Sequence, residues 1–182
     1  MAGRLVSALG ASAVTAEAFS DLATLRHMLR FEAALGDAAA KAGLIPKRAA
    51  IVIAKACDPS LYDPVSLAAA ARRSATLTVP LVKALTEEVA RRDAAAAGYV
   101  HWGATSQDVI DTAMVLQLGE ALPPLLKAAN GIVASFARLA KKHRVTPMLG
   151  RTLLQPATPL ALGQKIAGWA SDIDRAKRRL AS

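Results

Sequence analysis

The stretch His101-Trp-Gly-Ala-Thr-Ser-Gln-Asp-Val-Ile-Asp-Thr112 sets polar groups at the start of an otherwise apolar segment. Thr105, followed three residues later by Asp108, has the spacing of a capping box and predicts a helix N-terminus at Thr105 or Ser106. The first-turn N–H groups of such a helix lack intrahelical partners and carry the positive end of its dipole. Thr105, Ser106 and Gln107 add side-chain donors there, and Gly103 lacks the Cβ that would hold a ligand off the backbone. Together they outline a carboxylate site. An ordinary capped helix shows the same spacing, because Ser/Thr-x-x-Asp/Glu is common.

Helix punctuation recurs on both sides of this stretch. Ser20 can cap a helix to about Ala42, with Gly43 as its stop. Its apolar residues Leu22, Leu25, Leu29, Ala33 and Leu35 fall near helical spacing. Pro46 suits the first turn of a short helix ending near Cys57, and Asp63-Pro64 begins a third, to about Ser74. A fourth is expected from Thr78 to Ala96, with Leu81, Leu85 and Val89 on one face and Gly98 after it. The helix from Thr105 should reach about Glu120, with a kink or restart at Pro123-Pro124 before a long helix to about Arg144. Thr146-Pro147 breaks that helix, and Gly150 marks an irregular loop. The last helix carries Leu162, Ile166, Trp169, Ile173 and Leu180 in a stripe at coiled-coil-like spacing, still running at Ser182.

Composition agrees with an all-α fold. The 182 residues suffice for one ordinary domain, or one and part of another. Hydrophobic residues make up 53% and aromatics 4%, which favours closely packed helices over a β-sandwich. No strand alternation is sustained. No apolar run reaches the roughly 18–20 residues that span a bilayer, so no membrane partner is expected. The N-terminal residues, to Phe19, are read as an irregular arm, their apolar part being too weak and too broken by Gly and Ser for a signal peptide. Cys57, the single cysteine, can form no internal disulfide and suits a reducing, cytoplasmic setting; no His or second Cys beside it suggests a metal.

The net charge of +9 raises the question of nucleic acid. The basic runs Arg72-Arg73, Arg91-Arg92, Lys141-Lys142-His143-Arg144 and Arg175 to Arg179 have no aromatic interleaving and no zinc-finger spacing. They read as solvated helix faces, and basic surroundings also attract a small polyanionic substrate. Nucleic acid is not the expected partner.

A second polar cluster, Gly150-Arg151-Thr152-Leu-Leu-Gln155-Pro156-Ala-Thr158-Pro159, precedes the last helix. Arg151 can grip a carboxylate bidentately, and Thr152 and Gln155 can donate to it. A turn with an exposed Arg is the plain alternative. Two donor-rich segments, each opening a long helix in one Ala/Leu-rich chain, favour the binding site.

These segments, Tyr99 to Asp108 with Asp111-Thr112, and Gly150 to Pro159, resemble the first two signature regions of the fumarase/aspartase superfamily. Met28-Leu-Arg-Phe-Glu-Ala-Ala-Leu35, Asp63-Pro-Val-Ser-Leu67 and Val100 to Asp108 look most like its 3-carboxy-cis,cis-muconate cycloisomerase branch. The resemblance implies a helical N-terminal domain, residues 1–112, and the start of a long central helical bundle, 113–182. It implies a homotetramer whose active sites combine segments of three subunits, a small polycarboxylate substrate, and no cofactor or metal. The implied reaction is reversible lactonisation of 3-carboxy-cis,cis-muconate in the protocatechuate/β-ketoadipate route of aromatic catabolism. Substrate contacts are expected from His101, Thr105, Ser106, Gln107, Arg151, Thr152 and Gln155, with a structural hydrogen bond the alternative for His101. Asp108 and Asp111 should cap the helix or order their neighbours. The third signature, a Gly/Ser-rich loop carrying the serine base, is not in these residues, so no catalytic residue is assigned and the 182 residues alone are expected to be inactive. Many relatives have a His where this chain has Leu153 or Leu154. Lactone opening expels a carboxylate, whose conjugate acid has a pKa of roughly 4, so that chemistry tolerates the loss of a general acid. The alternatives are another lyase of the superfamily, such as an adenylosuccinate lyase-like protein, and a non-catalytic helical assembly or nucleic-acid-binding module.

Overall fold

The computed structural model describes Gly10 and residues 12–181. Its described elements, in chain order, are α1 (Ala13–Ala18), α2 (Asp21–Lys41), α3 (Lys47–Ala56), α4 (Pro64–Ser74), α5 (Thr78–Arg92), α6 (Ser106–Lys142), β1 (Pro147–Thr152), β2 (Gln155–Ala161) and α7 (Leu162–Ala181). Short 3-10 turns lie at Pro59–Leu61 and Ala97–Tyr99. The fold is all-α in class, with one antiparallel strand pair. It divides into two compact units, Met1–Glu120 and Ala121–Ser182.

The first unit is built on α2. The Ser20 side chain accepts the Ala23 N–H at 3.1 Å and so caps it, and after Gly43 the Leu44 N–H bonds back to the Ala39 carbonyl at 2.9 Å. The buried residues of α2 include Leu25, Met28, Leu29, Glu32, Gly36 and Ala39, spaced by three and four. Ile53 of α3, Leu81, Leu85 and Val89 of α5, and Val109 and Ala113 of α6 complete the core. Leu22 was expected on this stripe but is exposed; it shares the face of Leu25 and Leu29 but lies in the first turn of the helix. Gln117 on α6 donates to the Ala18 carbonyl and to Thr24 Oγ1, both at 3.0 Å, fastening the first turns of the unit.

Three expectations need correction here. Part of the N-terminal arm is helical: Ala13–Ala18 forms a short helix capped by Ser12, while residues 1–9 and 11 lie outside the described residues. α5 stops at Arg92 rather than Ala96, where Asp93 turns extended and accepts the Ala95 N–H at 3.1 Å. α6 runs unbroken for 37 residues, with Pro123 and Pro124 inside it. Good helix formers on both sides outweigh the two lost N–H donors. By length and mean hydropathy alone α6 is long and apolar enough to cross a membrane, a test that a helix of a water-soluble protein also passes. Its apolarity is an average over a helix that includes Gln, Gly and Pro, so no unbroken apolar run advertises it.

In the second unit the segment expected as an irregular loop is a strand pair. Gly150 pairs with Ala157 and Thr152 with Gln155, with an irregularity between Met148 and Gly150. A Cβ at Gly150 would sit 2.4 Å from the Thr158 carbonyl oxygen, so only glycine permits this approach. Burial along β1 alternates from Pro147 to Arg151, but the outward Leu149 is as apolar as the inward Met148, so residue polarity carries no period-two signal in the sequence. Leu153 and Leu154 form the two-residue turn, at φ 44° and 63°, and are almost wholly exposed. On α7, Ile166 is buried and Trp169 meets Phe136 of α6 with ring centroids 6.0 Å apart.

Candidate carboxylate-binding site

The helix start read from sequence is present. Ser106 is the first residue of α6, and Asp108 Oδ2 accepts the Thr105 N–H at 2.8 Å. This is the return half of a capping box. Thr105 Oγ1 also donates to Asp108, at 3.0 Å. These bonds, the backbone one first, hold the Asp108 carboxyl below its ordinary range. Asp111 accepts from Gln107 Nε2 at 2.6 Å. Both aspartates therefore order the helix start, as expected, and both engage side chains that the sequence had offered as ligand donors. The Ser106 carbonyl accepts from Thr78 Oγ1 at 3.1 Å, pinning this turn against the first turn of α5. Gly103 adopts φ 79°, so its lack of a Cβ is needed for the turn itself.

The structural hydrogen bond held open for His101 is present, to a partner the sequence did not name. The His101 Nδ1 lies 2.7 Å from Oε1 of Glu32 on α2, a residue only 1% exposed. Burial pushes the Glu32 carboxyl up, while the hydrogen bond to His101 and its charge pull the other way. His101 itself sits at φ 58°, in the left-handed region. The signal for Glu32 was available as a charge on the apolar stripe of α2, three residues after Leu29 and four before Gly36.

Arg151, Thr152 and Gln155 are exposed on the strand pair of the second unit. Arg151 borders an open groove of about 440 Å³, together with Met148, Leu160, Gln164, Lys165 and Gly168. Lys165, whose Nζ lies 5.6 Å from the Trp169 ring, adds a second cation that sequence reading missed. Two cations and an amide along one groove suit an anion. Cys57 is half-buried, and burial with the nearby Glu32 charge pushes its thiol up to about 12, which makes it a poor nucleophile. Among the described residues no group of three or more His, Cys, Asp or Glu side chains could hold a metal ion.

Comparison with known proteins gives a consistent result. The family profile described as Lyase matches residues 10–182. The 3-carboxy-cis,cis-muconate cycloisomerase of Bradyrhizobium diazoefficiens is 48% identical over 97% of this chain, which spans 39% of that protein. A nitrosuccinate lyase of Streptomyces davaonensis is 43% identical over 98% of the chain, which spans 38% of it. The crystal structure of 3-carboxy-cis,cis-muconate lactonizing enzyme from Pseudomonas putida superimposes with a TM-score of 0.87 at 42% identity, over 98% of this chain and 41% of that one. The chain thus spans about two fifths of the length of these relatives. With its two signature motifs, its helical fold and a profile match over nearly its whole length, the chain belongs to the lyase family.

Proposed function

We propose that these residues supply substrate-carboxylate contacts of a 3-carboxy-cis,cis-muconate cycloisomerase. The observation that carries this is the 48% identity with a cycloisomerase over 97% of the chain, through both donor-rich motifs. In the reaction, one substrate carboxylate oxygen adds to a carbon of a C=C bond and a proton adds to its neighbour, giving a carboxymuconolactone with no atom lost and no net redox change. Run in reverse, proton removal next to a carboxylate stores charge on its oxygens as an aci-carboxylate. Donors aimed at those oxygens stabilise the transition state. Ser106 and the first-turn N–H groups of α6 fit that role, and Arg151, with Thr152 and Gln155, fits the binding of another carboxylate. Each motif supplies contacts to the active sites of a homotetramer in the cytoplasm, and the reaction belongs to the protocatechuate branch of aromatic catabolism. Titration with cis,cis-muconate, followed by NMR, should move the amides of Thr105 and Ser106 and the Arg151 side chain selectively. No selective movement at millimolar ligand would refute the reading.

The likeness to a nitrosuccinate lyase at 43% identity supports a second reading, in which the same carboxylate contacts serve elimination from a substituted succinate. Turnover of nitrosuccinate but not of carboxymuconate, by the protein with all its catalytic segments, would select it.

A further inference from the structure

We propose that Glu32 is a positioning residue for His101: its carboxylate accepts from Nδ1–H and turns Nε2 toward a substrate carboxylate, to which Nε2–H donates, the ring holding both protons while it lies between the two carboxylates. The inference rests on the carboxylate-site reading above. Glu32 lies on the buried face of α2 among Leu25, Met28, Leu29 and Gly36, where a carboxylate is seldom found unless it is paired. Its Oε1 holds His101, 69 residues away in sequence, at 2.7 Å. Its Oε2 is buried with no hydrogen-bond partner among the described residues. A purely structural tie would be better made by a neutral amide, which leaves no charge in the core. A carboxylate does what an amide cannot: it only accepts, and so keeps a proton on Nδ1.

His101 also holds a left-handed backbone four residues before Thr105, and strain of this kind persists where the surroundings over-determine the geometry. No described residue takes Nε2, and the side chain is 17% exposed. The charged and titratable groups around the pair are Asp108, which feels the His101 charge, and Cys57, which feels that of Glu32. Neither competes for Nδ1, since Asp108 is bound to Thr105 and the Cys57 thiol is held protonated.

The test is imidazole 15N NMR on the 182-residue chain, with His101 assigned by His101→Gln and the fold followed by circular dichroism. His101 should show a protonated Nδ1 in the wild type, and should shift toward the Nε2–H form in Glu32→Ala. Added cis,cis-muconate should move the His101 Nε2 signal, and its affinity should fall about tenfold in Glu32→Ala, as expected when the donor loses the carboxylate that backs it. An unprotonated Nδ1 in the wild type overturns the proposal, whether or not Glu32→Ala folds. Movement of the Thr105 and Ser106 amides without movement of His101 Nε2 overturns the role of Glu32 and leaves the carboxylate site standing. Movement of neither overturns both.

Discussion

Glu32 has apolar neighbours on its helix face and one polar partner, so its ionisation is felt by the whole first unit. Burial raises its carboxyl above the ordinary value near 4.5, and the hydrogen bond and charge of His101 offset part of that. Folding therefore prefers the protonated form. The resulting stability is fully present below the ordinary value and is lost as pH rises through the raised folded value. The Tm of the wild type relative to Glu32→Gln should fall as pH is taken from about 4 toward 7; a difference independent of pH would contradict this. Arg151 is the opposite case, being exposed and free of core contacts. Arg151→Ala should leave the urea midpoint within the ~0.5 kcal/mol typical of surface changes, yet weaken cis,cis-muconate about tenfold in a calorimetric titration.

The elements differ in how much of their conformation is local. The start of α4 is set by Asp63, which accepts the Val65 and Ser66 N–H groups at 3.1 Å, and Pro64 is pre-shaped for the first turn that follows. The strand pair has no such local code. Its turn needs two residues at positive φ, usually Asn-Gly, and has Leu153-Leu154 instead. Both leucines are exposed, so replacing them with Asn-Gly removes no packing within the chain. That replacement should stabilise the strand pair by about 1 kcal/mol or more, seen as slower hydrogen exchange at Thr152 and Gln155. Unchanged or faster exchange would mean the leucines are not strained by the turn.

For the whole molecule, the notable surface is on α6. Leu118, Leu125, Ile132 and Leu139 recur every seven residues and are each 40–45% exposed. Seven-residue spacing along one helix is the pattern of a helix–helix seam. Exposed apolar residues in such a row are costly in water and seek a partner helix. Sedimentation should therefore show an oligomer, and Leu125→Glu with Ile132→Glu should shift it to a smaller species while Leu81, Leu85 and Val89 keep the first unit folded. A sharp monomer for the wild type at high concentration would contradict the seam.

The sequence by itself determined the helix starts at Ser20, Asp63 and Thr105, the stop at Gly43, and the buried face of Leu81, Leu85 and Val89. Each depends on residues within about one or two turns, so the chemistry that decides it is contiguous in the chain. It also marked the helix start of the first motif and the role of Asp108 there. Only the tertiary structure decided the rest. The pairing of Glu32 with His101 joins residues 69 apart, and nothing local to either names the other. The strand pair depends on cross-strand hydrogen bonds and on the room left by Gly150, with no alternation of apolar and polar residues to announce them. The passage of α6 through Pro123-Pro124 reverses a local preference, because a helix is cooperative and its stability is summed over the whole element rather than decided at one residue.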